Sequence, residues 1–402
     1  MTKKVTIDDI RKAYETVKDS IKRTALVECP TLEELTGNKV YFKLENLQKT
    51  GSFKVRGALN KIANLTEEEK ANGVIASSAG NHAQGVALGA TASGIKSTIV
   101  MPATAPLAKV WATKNYGAEV ILHGSVYDDA YAKACEIQKE TGATFLHPFD
   151  DEYVIAGQGT IGLEILEDLE DVDVVAVPVG GGGILAGIAT AIKAIKPSVK
   201  IIGVEAENAA SMKAAIEKNE VHTIDSSPTI ADGIAVRRAG DLTFEIIRDN
   251  VDEIVTVSES EISQALLFLM EKSKVVAEGA GATAVAAVLS GKIKEENKNI
   301  VSVISGGNID INLMERILNQ ALIKEGRRFG FKVRIHDKAG ELERLLKLIA
   351  SNNANILQLY QSMYRENLNI GMQEVDLVVE CFNTQHREEL KIALKNGNYN
   401  IF

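Results

Sequence analysis

Four short segments of this chain carry residue types that could do chemistry together. The first is Lys43-Leu-Glu-Asn-Leu-Gln-Lys-Thr-Gly-Ser-Phe-Lys-Val-Arg-Gly57. Its Gly-Ser turn predicts a helix start with Lys54 in the first turn. The partial positive charge of a helix amino terminus favours a neutral amine over an ammonium, and a neutral lysine is a nucleophile fit for Schiff-base chemistry. Taken alone, a lysine at such a position is usually just solvated. The second segment, Ser77-Ser-Ala-Gly-Asn-His-Ala-Gln-Gly85, leaves a strand and opens an alanine-rich helix. Hydroxyls, a carboxamide and free backbone N–H groups there suit a carboxylate, although Ser78 or Asn81 could equally be a helix cap. The third, Val174-Val-Ala-Val-Pro-Val-Gly-Gly-Gly-Gly-Ile-Leu-Ala-Gly187, ends a buried strand in four glycines. Successive glycines let the backbone approach a phosphate closely and aim several N–H groups at it. Neither G-x-G-x-x-G nor a Walker A loop is present, so dinucleotide and triphosphate readings lack support. The fourth, Ile300-Val-Ser-Val-Ile-Ser-Gly-Gly-Asn308, is again strand into glycine turn, and Ser305 could face a ring nitrogen.

Other chemistries find less. The six histidines are scattered without H-E-x-x-H or a facial triad, so no transition-metal catalytic site is expected, and His82 reads as packing. Cys29, Cys135 and Cys381 match neither a disulfide framework nor a zinc knuckle, which fits a reducing cytoplasm. The net charge of -9 and pI near 5.4, with no Lys/Arg cluster, argue against nucleic-acid or anionic-membrane partners and for a small molecule. The amino terminus lacks the apolar core of a signal peptide. The uncharged stretch 174–192 mimics a membrane span, but its proline and four glycines reject it.

The elements that must position these residues follow from periodicity. Segments 40–44, 73–77, 97–101, 119–122, 172–179, 200–205, 254–257 and 300–304 read as strands, with helices at 83–92, 127–141 and 161–169 between several of them. Such alternation predicts α/β architecture with largely parallel sheets. After Gly326 the pattern changes to strand 329–335, helix 340–351, strand 355–364, strand 374–380 and helix 384–395, with room for a short strand at 399–402: the ferredoxin-like order. The charged Lys-Glu-Gly-Arg-Arg at 324–328 puts a linker at 323–328.

Together the four segments resemble the fold-type II pyridoxal-phosphate enzymes, specifically the threonine ammonia-lyase (threonine dehydratase) branch, over residues 5–322. The resemblance implies a tryptophan synthase β-like fold of two open twisted parallel sheets. A large cofactor-binding domain would comprise 1–44 and 150–322, and a small mobile substrate-binding domain 45–149. It implies that Lys54 holds pyridoxal 5'-phosphate and moves the α-proton, that Phe53 lies against the ring, that Asn81 meets the 3-hydroxyl, that Gly180, Gly181, Gly182, Gly183 and Ile184 bind the phosphate, and that Ser305 faces the pyridine nitrogen. Ser78, Ala79, Gly80 and Asn81 would take the substrate carboxylate. The implied reaction is β-elimination of water from L-threonine, giving 2-oxobutanoate and ammonia, and from L-serine, giving pyruvate. A homodimer or homotetramer is implied too.

Serine racemase, in the same family, is the nearest rival. Racemases of this type have a serine at the position of Ala79, and alanine cannot move a proton, which favours elimination. Their cation site is incomplete here: Glu205 and Ala209 are present, but Ser211 sits where an acidic ligand is expected. Trp111 departs from relatives and reads as a helix-surface residue or a subunit contact. The unit 329–402 resembles an ACT-like regulatory domain with Asp337 and Gly340 in its ligand loop, implying an amino-acid effector, isoleucine or valine, or else an oligomerising role. Readings from other classes are a dinucleotide oxidoreductase and a catalytically silent amino-acid sensor.

Overall fold

The computed structural model describes residues 5–402, which divide into two compact units, the first ending at Asp310 and the second Ile311–Phe402. The first unit carries strands β1 (Leu26–Glu28), β2 (Lys39–Lys43), β3 (Val74–Ser77), β4 (Ser97–Met101), β5 (Glu119–Leu122), β6 (Thr144–Phe145), β7 (Val174–Pro178), β8 (Lys200–Ala206), β9 (Glu253–Val257) and β10 (Asn299–Val303). They form a six-stranded sheet in the order β1-β2-β10-β7-β8-β9 and a four-stranded sheet in the order β5-β4-β3-β6. All pairs are parallel except β1 with β2. Strands buried on both faces have no polar alternation to show, which is why β3 and β7, completely buried, appear in the sequence as unbroken apolar runs.

Strand order reverses in each sheet. In the larger one the chain runs β7, β8, β9 outward on one side, while β10 lies on the other side of β7. In the smaller one β4 and β5 lie on one side of β3 and β6 on the other. Crevices open at the carboxyl ends of strands at such reversals. The segments after β3, β7 and β10 are the second, third and fourth of the chemistry-bearing runs.

Two features bear on the expected elements, the first in agreement and the second not. The stretch 174–192 is divided between β7 and the helix Gly183–Ile195, and among the described residues no helix is long and apolar enough to cross a membrane. The helix expected at 161–169 begins nine residues earlier, as Glu152–Asp168, capped by Asp151, whose carboxylate accepts from the N–H groups of Tyr153 and Val154. Its glycines serve close packing: a Cβ on Gly157 would lie 2.7 Å from the Arg56 carbonyl oxygen and from Cα of Gly57. The Lys54 helix, Lys54–Ala63, can therefore press directly on this one.

In the second unit the helix Ile311–Lys324 precedes β11 (Arg328–His336), helix Glu341–Ser351, β12 (Asn355–Ser362), β13 (Met372–Glu380) and helix Thr384–Asn396. The sheet is antiparallel in the order β11-β13-β12, and Ile401 bridges to Val333 on the free edge of β11, which completes the ferredoxin-like order. Val333, Leu345, Ile349, Val375, Leu377, Leu390 and Leu394 form its core. The segment 323–328 lies inside this unit, from the last turn of its first helix to the first residue of β11.

Candidate active site

A cavity of about 900 Å³ lies in the first unit between the carboxyl ends of the two sheets. It is lined by all four segments: Phe53 and Lys54, Ser77 to His82, Gly180 to Ile184, and Ser305. Segments spread over more than 250 residues of sequence thus meet in one cleft.

Lys54 is the first residue of its helix, as its spacing implies, with Phe53 preceding it. Its Nζ donates to the carbonyl oxygen of Pro148 (2.8 Å), in the loop after β6, and lies 5.2 Å from the Phe53 ring centre. Burial pushes the amine down to about 8, against the carboxylate of Glu278, which pulls the other way. The side chain stands on the cleft wall, where a small molecule can still reach it. An amine lowered this far keeps more of its free form near neutrality than an ordinary lysine, and only the free amine has the lone pair that a nucleophile or a base needs.

The helix Asn81–Ala92 follows Gly80, and neither Ser78 nor Asn81 caps it. The Ser78 hydroxyl instead accepts from the Gly80 N–H (3.2 Å). The carboxamide of Asn81 donates to Glu278 Oε1 and accepts from Asn308, each at 2.7 Å. Ala79 lines the cleft, and the buried Ser77 Oγ has no partner. His82 accepts or donates at the Leu146 carbonyl (2.8 Å), and burial drives it down to about 3, so it is a neutral packing residue.

The glycine loop is a cradle that side chains would fill. Gly182 adopts φ 98°, a conformation that costs glycine nothing. A Cβ on Gly181 would run into the Phe149 ring, and one on Gly180 would lie 2.9 Å from Ile234 Cα. The helix Gly183–Ile195 starts here with no side-chain cap, leaving first-turn N–H groups aimed at the cleft, where an anion is stabilised. Ser305, 3% exposed, lies on the wall and its carbonyl accepts from the Phe53 N–H (3.1 Å).

Several residues of the site escaped the sequence reading. Glu278 precedes the apolar helix Gly279–Leu289 and is 4% exposed; burial, with Asp232 nearby, pushes its carboxyl up to about 7. Its only sequence signal is an acid among small residues. His147 faces the cleft and is lowered by burial, and Tyr127, raised to about 12 by burial, lines the mouth. Below Lys54 lies a buried ion cluster. Arg56 donates to Glu45 (2.8 Å) and to Glu164 (2.7 and 2.9 Å), and Lys43 pairs with Glu164 (2.7 Å). Burial opposes the Glu45 charge, and Arg56 overcomes it, holding Glu45 below the usual carboxylate range.

Glu205 does not face the cavity. Both its oxygens accept backbone N–H groups, of Met212 and Lys213 (2.8 Å each), at the start of the helix Ser211–Lys218, so the carboxylate faces this helix end; burial raises it to about 7. Ala209 and Ser211 are buried beside it in sequence, and among the described residues no cluster of three His, Cys, Asp or Glu could hold a metal. Trp111 is 68% exposed, four residues from Leu107, which is 83% exposed.

Residues 17–306 match the family described as pyridoxal-phosphate dependent enzymes. The chain belongs to that family. Among the similar proteins of this pyridoxal-phosphate family, an L-threonine ammonia-lyase of Thermotoga maritima is 51% identical over 397 residues, 99% of both chains. Of solved structures, threonine deaminase isoform 2 of Solanum lycopersicum superposes with a TM-score of 0.75 at 38% identity, over 80% of this chain and 91% of that one. A maize serine racemase does so equally, at 0.75 and 36% identity, over 81% of this chain and all of that one. The donor set fits the family's cofactor: an uncapped glycine cradle for a phosphate, and a buried, partly neutral lysine for an aldehyde.

Proposed function

We propose that this chain is an L-threonine ammonia-lyase, a carbon–nitrogen lyase that eliminates water from L-threonine and, after water adds back on hydrolysis, releases ammonia to give 2-oxobutanoate, and that turns L-serine into pyruvate in the same way. The observation that carries the reading is a lysine amine depressed to about 8, set opposite an uncapped glycine cradle in a cleft large enough for cofactor and amino acid. Gly180 to Gly183 with Ile184 would hold the phosphate of pyridoxal 5'-phosphate, Phe53 and Asn81 would flank the ring and Ser305 its nitrogen. Bound there, the cofactor supplies a conjugated electron acceptor that makes the substrate's α-proton acidic.

The chain's own residues do the rest. Ser78 to Asn81 present a hydroxyl and backbone N–H groups to the substrate carboxylate. Lys54, partly neutral, is the base for the α-proton, and loss of the β-hydroxyl as water leaves an enamine that hydrolyses to the 2-oxo acid and ammonia. Burial drives His82 down to about 3, so it carries no charge near neutrality, and burial lowers His147 in the same direction. Ala79 on the cleft wall has no group able to return a proton to the other face, which supports elimination over racemisation.

For the second unit the reading is an ACT-like regulator that takes isoleucine or valine. What supports it is the loop of Asp337 and Gly340, where Gly340 (φ 85°) opens the helix Glu341–Ser351 without a side-chain cap. Assembly as a homodimer or homotetramer and a cytoplasmic location belong to the same reading; all three cysteines are unpaired.

The test is purified protein given pyridoxal 5'-phosphate, with absorbance, borohydride trapping and peptide mapping, and 2-oxo acid release from L-threonine, L-serine and D-serine. The expected result is attachment at Lys54 and 2-oxobutanoate formation, both abolished in Lys54→Ala. Neither attachment nor product would sink the reading and leave an amino-acid sensor.

A further inference from the structure

Three of the four segments are joined by one hydrogen-bond relay. Asn308 Nδ2 donates both to the Thr50 carbonyl and to Asn81 Oδ1, each at 2.7 Å. With an amide nitrogen facing it, the Asn81 atom on that side must be the oxygen, which turns the Asn81 nitrogen to Glu278 Oε1 at 2.7 Å. Glu278 is itself fixed by its N–H, which donates to the Gly306 carbonyl (3.0 Å). The glycines around the relay leave room for nothing else. A Cβ on Gly306 would run into Glu278 Oε1 and come within 3.2 Å of Asn81 Nδ2, and one on Gly51 would collide with Asn308 Oδ1.

We propose that Glu278 is a positioning residue of this cleft: it holds the Asn81 carboxamide in the orientation that Asn308 imposes and, lining the same cavity as Lys54, governs through its charge how much of Lys54 is free amine. The inference rests on the reading that Lys54 carries the cofactor. Its electrostatic basis is local. Burial and Asp232 work against the Glu278 charge, while Lys109, the Asn81 donor and Lys54 work for it, and its carboxyl lies near 7. Glu278 is in turn the charged neighbour that favours the Lys54 ammonium. Two histidines feel Lys54: His82, driven down to about 3 by burial, adds no charge near neutrality, and His147 is lowered by burial against Asp150 and Asp151. Below the midpoint of Glu278 the neutral acid no longer holds a proton on Lys54; above it the carboxylate does. The titrations of the two groups are therefore linked.

The experiment is trace acetylation of cofactor-free protein between pH 5 and 11, with Lys54 labelling read by mass spectrometry. Glu278→Gln keeps an acceptor for Asn81 and removes the charge, so the Lys54 midpoint is expected to fall by about one unit. An unchanged midpoint overturns the proposal. Wild type alone tests it as well: linkage gives a Lys54 profile shallower than a single-proton curve, and a simple single-proton curve overturns it without any variant. Asn308→Ala should leave the Lys54 midpoint in place and weaken pyridoxal 5'-phosphate binding about tenfold, the effect of one lost hydrogen bond; unchanged binding removes the orienting role. Borohydride trapping at another lysine would instead defeat the underlying reading, and the Lys54 titration, measured without cofactor, tells the two failures apart.

Discussion

Replacing Lys54 by methionine should make the cofactor-free protein more stable at neutral pH, and the gain should vanish in alkali. In the folded chain burial holds the amine near 8, against an ordinary value of 10.5. Below pH 8 both folded and unfolded chains carry the proton, and the fold bears the whole cost of a charge it disfavours. Between 8 and 10.5 the folded chain has released the proton while the unfolded chain still binds it, so stability rises with pH. Above 10.5 both are neutral and the cost is gone. A shift of about 2.5 units corresponds to about 3 kcal/mol, an upper figure for a side chain on an open cleft wall. The measurement is urea unfolding of wild type and Lys54→Met at pH 7 and pH 10, taking the difference between the two proteins at each pH so that other titrations cancel. The expected change in that difference is about 2 to 3 kcal/mol, with the variant ahead at pH 7. A difference that stays constant to within about 0.5 kcal/mol would mean that the Lys54 amine is not depressed, and the nucleophile argument would go with it.

Arg56→Met leaves Glu45 and Glu164 buried with only Lys43 for compensation, and should cost about 3–5 kcal/mol in urea unfolding; a cost under about 1 kcal/mol would show the cluster to be dispensable. Gly181→Ala drives a methyl group into Phe149 and should weaken pyridoxal 5'-phosphate binding at least about tenfold by fluorescence titration, with partial recovery in a Gly181→Ala, Phe149→Leu double variant. Ala79→Ser places a hydroxyl on the cleft wall, and chiral chromatography should then detect D-serine formed from L-serine; its absence would show that position 79 does not separate elimination from racemisation.

The strands and the four chemistry-bearing segments were legible because parallel strands buried on both faces leave continuous Val/Ile runs, and because glycines and hydroxyls cluster at their carboxyl ends. The start of the helix Glu152–Asp168 was not. Gly157, Gly159 and Gly162 lower its intrinsic propensity, and their purpose, close approach to the Lys54 helix and to Gly187, exists only in three dimensions. Glu278 was hidden for a related reason. Its meaning comes from Asn81, 197 residues away, and no local pattern marks an acid whose partner is so distant. The ion cluster was invisible likewise: Lys43, Glu45 and Arg56 carry no local mark that folding shuts them in together. At the unit boundary, the helix Ile311–Lys324 groups with the residues after it, whereas the charged run at 324–328 had suggested a break behind it.

That ion cluster also bears on how the protein meets heat. Hydration of charged groups carries a strongly negative entropy, so keeping Lys43, Glu45, Arg56 and Glu164 from water becomes less costly as temperature rises, while apolar contacts gain little more. The first turn of the Lys54 helix, which carries Arg56 into this cluster, is thus a part of the fold whose burial cost falls on warming. On a heating ramp the catalytic geometry should persist until the surrounding sheet gives way as a whole, and activity should end abruptly instead of fading.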